Sequence, residues 1–226
     1  MKTTAFISVS FEIFKKEYRS ELRTRYALNA LLMFVVTTIS MILFSITREN
    51  VSPEILAGVL WVIIFFSTMS GLSRTFVSEE ERGTVMTLQL IAQPLTVYFG
   101  KLLFNFLLLA LLNVVTVALY LTLISSFSVE NISIFVLTLA LGTLGLATAT
   151  TILAAIISKA HSKGTLFPVI CFPVLLPLLI TVIAATQKAV EGVAFEEAYP
   201  LFRVLIAYIV VIGTVSYVVF DYIWKE

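Results

Sequence analysis

Six stretches of this 226-residue chain are apolar over a length that matches the hydrocarbon core of a bilayer, at about 27–47, 55–73, 102–124, 132–157, 165–186 and 201–223. A membrane helix needs about 20 mostly apolar residues, and the first five stretches carry no charge at all. The sixth is uncharged from Val204 to Phe220 and is bounded by Arg203 and Asp221, which snorkel to opposite interfaces. Composition agrees: 59% of the side chains are hydrophobic and 13% charged, with a mean hydropathy of +1.03, against roughly 45–50% and about 25% in soluble domains. A surface that greasy needs lipid as its solvent. Long unbroken runs exclude a β-barrel, whose strands alternate apolar and polar positions. The expectation is an all-α membrane protein of six transmembrane helices forming one domain over 1–226.

Orientation follows from the basic residues, which resist translocation. Of 15 Lys and Arg, only Arg48, Lys188 and Arg203 fall in the segments on one side, and the other 12 share the side of both termini. Both termini are therefore expected in the cytoplasm. The first segment, 5–25, is too broken by Glu12 and too poor in small residues for a signal peptide. Ile7, Phe11, Phe14, Tyr18 and Leu22 recur at helical spacing, with Glu12, Lys16, Arg19 and Arg23 opposite them. That pattern predicts an amphipathic helix lying in the membrane interface.

Most chemistries are missing their residues. No G-x-x-x-x-G-K-[ST] exists to hold ATP, and Ser162-Lys163-Gly164-Thr165 lacks the upstream glycine. Cys171 and His161 are the single cysteine and histidine, which excludes a disulfide, a C-x-x-C pair and a multi-histidine metal cage. No carboxylate, histidine or basic residue occupies the centre of a span, which argues against proton or sodium coupling. Neither H-E-x-x-H nor G-x-S-x-G is present for proteolysis. A net charge of +1 gives no electrostatic footprint for nucleic acid. Gly142, Thr143, Gly145, Ala147 and Ala149 form a small-residue surface suited to close helix packing. The Asn131-Ile132-Ser133 triplet abuts the fourth span and receives no function.

Two features remain. The cytoplasmic loop 74–101 holds Ser78, Glu79, Glu80, Glu81, Arg82, Gly83 and Thr84, then Val85, Met86, Leu88, Leu90, Ile91 and Pro94. Ser78 with Glu81 matches a capping box, and acidic residues suit a helix N-terminus. Gly83 is costly inside a helix, so the alternative start is Thr84, with Pro94 as the stop. An acidic start followed by an apolar stripe at the membrane face suits docking of a soluble partner. The fifth span contains Pro168, Pro173 and Pro177, each of which removes a backbone donor. Those residues are candidates for a helix kink or for the lining of a transport path. The outer loop, Lys188 to Pro200, is acidic and free to meet a partner outside.

At these residues the chain resembles the haem exporter protein B (CcmB) family, the permease subunit of the ABC transporter of cytochrome c maturation. The likeness covers the N-terminal helix, the second span with Gly58 and Trp61, the loop of Phe76, an acidic cluster, Gly83 and Pro94, and the run Phe172-Pro173-Val174-Leu175-Leu176-Pro177-Leu178-Leu179-Ile180. It implies an ABC exporter permease in a prokaryotic inner membrane, paired with a separate ATPase subunit that docks on Ser78, Glu79, Glu80, Glu81, Gly83 and Thr84. It also implies a haem-handling membrane subunit and a periplasmic haem chaperone as partners, haem as the cargo, and haem ligands that belong to the partner subunit. ATP would act through the ATPase, with no cofactor bound directly by this chain. Six spans are half the usual exporter complement, so a homodimer is expected by analogy. The competing readings are an ABC exporter subunit for lipid, polysaccharide or drug, and a structural scaffold within a membrane complex.

Overall fold

The computed structural model describes residues 2–24, 26–46, 51–73, 75–159 and 166–225. His161, the single histidine, and Arg48, one of the three basic residues counted on the side away from the termini, lie outside the described residues. The described chain is helical throughout: α1 Lys2–Thr24, α2 Tyr26–Ile46, α3 Pro53–Leu72, α4 Val77–Glu81, α5 Val85–Ile91, α6 Pro94–Leu123, α7 Ile132–Ser158, α8 Leu166–Val190 and α9 Phe195–Lys225. Among the described residues, five helices, α3 and α6 to α9, hold stretches long and apolar enough to cross a membrane, while the corresponding run in α2 is the shorter Leu31–Ser45.

Two helices start earlier than the charge-free stretches suggest. The third span, expected at 102–124, is part of α6 and begins at Pro94. Proline at the first helical position has its φ preset and lacks only an N–H that would be unpaired there anyway, so Pro94 opens a helix as well as closing the preceding one. Lys101, assigned by the charge pattern to a loop, consequently sits inside α6. The sixth span, expected at 201–223, is part of α9, which begins at Phe195 with Glu196 and Glu197 in its first turn. Carboxylates there oppose the positive end of the helix dipole.

Helix α7 is the hub, packed against α8, α9 and α6. Its small residues make that possible. A Cβ on Gly145 would stand 2.7 Å from Leu178 Cδ1 of α8, and one on Gly142 would strike the Trp61 ring of α3. The Trp61 ring has no room to retreat, because it is fully buried and its Nε1 donates to Thr186 Oγ1 at 2.8 Å. Three threonines inside the bundle share one arrangement. Thr143, Thr151 and Thr186 each donate their single hydroxyl proton to the carbonyl four residues back, at 2.6, 2.6 and 2.8 Å. Each then has an oxygen lone pair free for another helix: Asn113 Nδ2 donates to Thr143 at 2.7 Å and Asn105 Nδ2 to Thr151 at 2.8 Å. The α6 and α7 partners are eight residues apart on both helices, in opposite order, which fixes the antiparallel register.

At the opposite end of the bundle from α4 and α5, Asn131 N-caps α7, its Oδ1 accepting from Ile134 N at 3.2 Å while its Nδ2 donates to Val193 O at 3.0 Å. The asparagine of the N-x-S triplet is thus a structural staple between the α6–α7 and α8–α9 connections.

Helix α1 divides into three faces at 100° per residue. Ile7, Phe11, Tyr18 and Leu22 form an exposed apolar stripe, with Phe14 stacked between Phe11 and Tyr18 at centroid distances of 5.6 and 6.1 Å. Glu12, Arg19 and Arg23 are exposed on the second face. Ser10, Ile13 and Glu17 on the third turn toward α6, where Gly100 permits the approach: a Cβ there would lie 2.7 Å from both Ile13 Cβ and Ser10 O.

Gly142→Ala is expected to destabilise the bundle by about 1–3 kcal/mol through overpacking against Trp61. Gly58→Ala, where an added Cβ meets nothing within 4 Å, should be neutral or slightly stabilising. Thermal unfolding in a mild detergent measures both.

Candidate functional site: a docking hairpin seated on buried charges

Past the end of α3 the chain forms two short helices, α4 and α5, joined by a turn at Arg82 and Gly83. The anticipated capping box does not form: α4 begins after Phe76, and no side chain caps it. Gly83 takes φ +66°, a left-handed conformation that costs other residues about 1–2 kcal/mol, and this breaks the run into two helices. Of the two anticipated starts for the apolar helix, Thr84 is the one realised, with α5 spanning Val85–Ile91. The Thr84 hydroxyl turns back to donate to Glu79 instead of capping α5.

The acidic residues therefore have unequal roles. Glu79 is 4% exposed, whereas Glu81, Arg82, Gly83 and Thr84 are at the surface. Ser78 and Glu80 are half-buried, and Glu80 pairs with Lys159 at the end of α7 at 3.7 Å. The Glu79 carboxylate faces Lys101 of α6, whose side chain is 0% exposed. Lys101 Nζ donates to Glu17 Oε1 of α1 at 2.8 Å, to the Thr75 carbonyl at 2.8 Å and to Glu79 Oε1 at 3.4 Å, and lies 5.1 Å above the Phe76 ring. Lys16 of α1 completes the cluster with ion pairs to Glu79 and Glu17. Two cations thus meet two carboxylates. Burial by itself would push the Glu79 carboxyl up, but the Lys101 ammonium, with hydrogen bonds from Lys16 and Thr84, holds it well below the usual carboxylate range.

The hairpin is held from its other side by aromatic rings. Phe76 packs on Phe220 and Trp224 of α9, with centroids 5.7 and 6.1 Å apart, and Phe220 in turn meets Tyr98 of α6 at 5.1 Å. Gln89 of α5 donates to the Trp224 carbonyl. Seated between these two anchorages, α5 contributes no buried residue. Met86, Leu90 and Ile91 are 73%, 84% and 76% exposed, and Glu81 and Arg82 border them.

The proline candidates lie elsewhere. Helix α8 runs without a break from Leu166 to Val190. Pro168 falls in its first turn, where no hydrogen bond is lost. Pro173 and Pro177 are exposed on the outer side of the bundle, and the Tyr208 hydroxyl of α9 donates to the neighbouring Val174 carbonyl at 3.1 Å. The contacts of the hairpin described above run to α1, α6, α7 and α9. Sequence reasoning missed Lys101, Asn105 and Asn113, although their spacings of four and eight place them along one side of a single helix.

Lys101→Met leaves Glu17 and Glu79 with only the half-exposed Lys16 between them, and is expected to cost about 3–5 kcal/mol. Adding Glu79→Gln should restore most of it, since removing both charges is far cheaper than orphaning one. Because the folded pKa of Glu79 is depressed, its contribution is present above the ordinary value of 4.5 and is lost as the pH falls from there. Melting temperatures taken from pH 7 down to pH 4 should fall more steeply for the unmodified protein than for Glu79→Gln.

No curated protein matches the chain. The family described as CcmB protein matches over residues 8–220, nearly the whole length, and with the apolar helices described above this makes the chain a multi-pass membrane protein. It belongs to the CcmB family, a permease component of haem-exporter ABC transporters.

Proposed function

We propose that this chain is the membrane half of an ATP-driven machine for cytochrome c maturation, with six spans, both termini in the cytoplasm and α1 lying along the inner membrane surface. A separate ATPase subunit seats on the α4–α5 hairpin, and its cycle drives haem export or release of the haem-loaded periplasmic chaperone. The observation that carries the docking assignment is the exposed Met86, Leu90 and Ile91 on a short helix braced from beneath. An apolar centre with a polar rim, here Glu81, Arg82 and Thr84, is the anatomy of a protein interface.

In this reading the candidate docking residues divide by burial. Glu81, Gly83 and Thr84 border the contact, Gly83 sets the angle of α5, and Ser78, Glu79 and Glu80 act from behind by holding the hairpin in place. The exposed stripe of α1 enters the headgroup region, where Lys15, over the Phe11 ring at 4.8 Å, and Arg19 face anionic lipid. Pro173 and Pro177 serve as a hinge in α8, because their outward position suits bending better than lining an interior path. The haem-handling membrane subunit and a second copy of the permease are further partners by family analogy, and the acidic turn at Glu191 with Glu196 and Glu197 in the first turn of α9, in place of the loop expected from Lys188 to Pro200, meets the chaperone.

Co-purification in a gentle detergent tests the docking. Met86→Glu with Leu90→Glu should weaken retention of the ATPase subunit by tenfold or more, about 1–2 kcal/mol per side chain, without changing membrane insertion or melting temperature. Unchanged retention would remove α5 from the interface. Deletion of the chain should abolish c-type cytochromes, whereas intact cytochromes with loss of a lipid or polysaccharide export phenotype would redirect the cargo assignment. Labelled haem supplied inside sealed vesicles then separates its passage to the outside from release of the loaded chaperone.

A further inference from the structure

The hairpin's foundation is costly for a part that only needs to be held still. A buried cluster of ions is commonly no more stable than apolar side chains filling the same space, and the aromatic anchorage on α9 already supplies apolar packing on the opposite side. What charges add is direction. An ammonium without water holds three acceptors at fixed bearings, and those of Lys101 belong to α1 through Glu17, to the hairpin through Glu79, and to the link between α3 and α4 through the Thr75 carbonyl.

The polar line continues into the bundle. Asn105, one turn beyond Lys101 on α6, lies 3.3 Å from the Thr75 hydroxyl and donates to Thr151 of α7. Two turns further, Asn113 donates to Thr143 of α7. A shift of the hairpin therefore acts on α6 at Lys101, and the α6–α7 register is gripped at two successive points below.

We propose that Lys101 is a positioning residue for transport, the joint through which displacement of the docked hairpin is carried into α6 and α7 and, by Glu17, into α1. The inference rests on the ATP-coupled permease reading above. Its test uses the complex with the co-purifying ATPase subunit, reconstituted in lipid nanodiscs, and reads three quantities: ATPase subunit bound per permease, melting temperature and stimulated ATP turnover.

Glu17→Leu is the informative variant, because Glu17 lies on α1 and outside the docking surface. Turnover per bound ATPase subunit should fall about tenfold, within the usual range of a coupling effect, while binding holds; the melting temperature falls as well, because buried Lys101 loses one of its two carboxylates, and the neutral pair below separates that loss from coupling. Glu12→Leu, exposed on the same helix and paired only with Lys15 among the described ion pairs, should leave turnover unchanged. The neutral pair Lys101→Met with Glu79→Gln, which avoids an orphaned buried charge, should reproduce the loss. Undiminished turnover in Glu17→Leu or in the neutral pair overturns the inference. So does a loss that merely tracks lost binding, which would make the cluster part of the dock. Failure of the unmodified permease to stimulate ATP turnover at all is a separate result, seen before any variant is made, and removes the permease reading and this inference with it.

Discussion

A lysine ammonium stripped of water must give its protons to protein acceptors, and Lys101 does so with two carboxylates and a carbonyl drawn from parts of the chain 22 to 84 residues away. This requirement sets the shape of the end of the bundle that carries α1 and the hairpin. Glu17 can reach Nζ only if α1 lies against α6, which in turn needs Gly100 bare beneath Ile13. Glu79 reaches it only if α4 folds under α5, turning inward the first residue of the acidic run. Once both are in place, α5 rests on the core only through the half-buried Val85 and Leu88, and Met86, Leu90 and Ile91 stay outward.

Inside the membrane a different constraint governs. Lipid tails are as apolar as leucine, so no hydrophobic gain draws helices together once inserted, and close packing and hydrogen bonds supply the specificity. The α7 glycines provide the first and the threonines the second. A threonine hydroxyl that satisfies itself on its own helix enters the bilayer at little cost and still offers a lone pair, and Asn105, Asn113 and Trp61 use three of these. Each such tie contributes about 0.6–2 kcal/mol in membrane systems, less than a buried apolar side chain, but each is tied to one register. A slide of α6 past α7 by one turn, roughly 5.4 Å, would break both asparagine ties together.

The spans were legible because their signal is collective: about 20 consecutive apolar residues leave few alternatives, and no tertiary contact is needed to read them. The start of α6 was not, because Lys101 ends the charge-free run and a membrane lysine is ordinarily assigned to water. Its burial depends on Glu17 and Glu79, and nothing local in the sequence announces that three distant charges will meet. The same holds for the hairpin. Three adjacent glutamates look alike as letters, yet the 100° step of a helix sends Glu79 inward, Glu80 sideways to Lys159 and Glu81 outward. The apolar residues after Gly83 were readable as a partner surface; their separation from the charges beneath them required the fold.

This division bears on how a soluble motor could move a membrane bundle. An apolar contact tolerates sliding, because one methyl group serves as well as the next, so a surface such as Met86, Leu90 and Ile91 can bind and release through a cycle without demanding one exact pose. A buried ion pair tolerates little: separating Lys101 from Glu79 or Glu17 leaves a charge unpaired at a cost of several kcal/mol, so the helices bearing them travel together or not at all. Compliance at the interface and stiffness behind it are the two properties a lever needs. The order along the chain brings the hairpin together within 16 residues, from Thr75 through Gly83 to Leu90, and α6, which begins at Pro94, carries Lys101, the lysine that closes the joint.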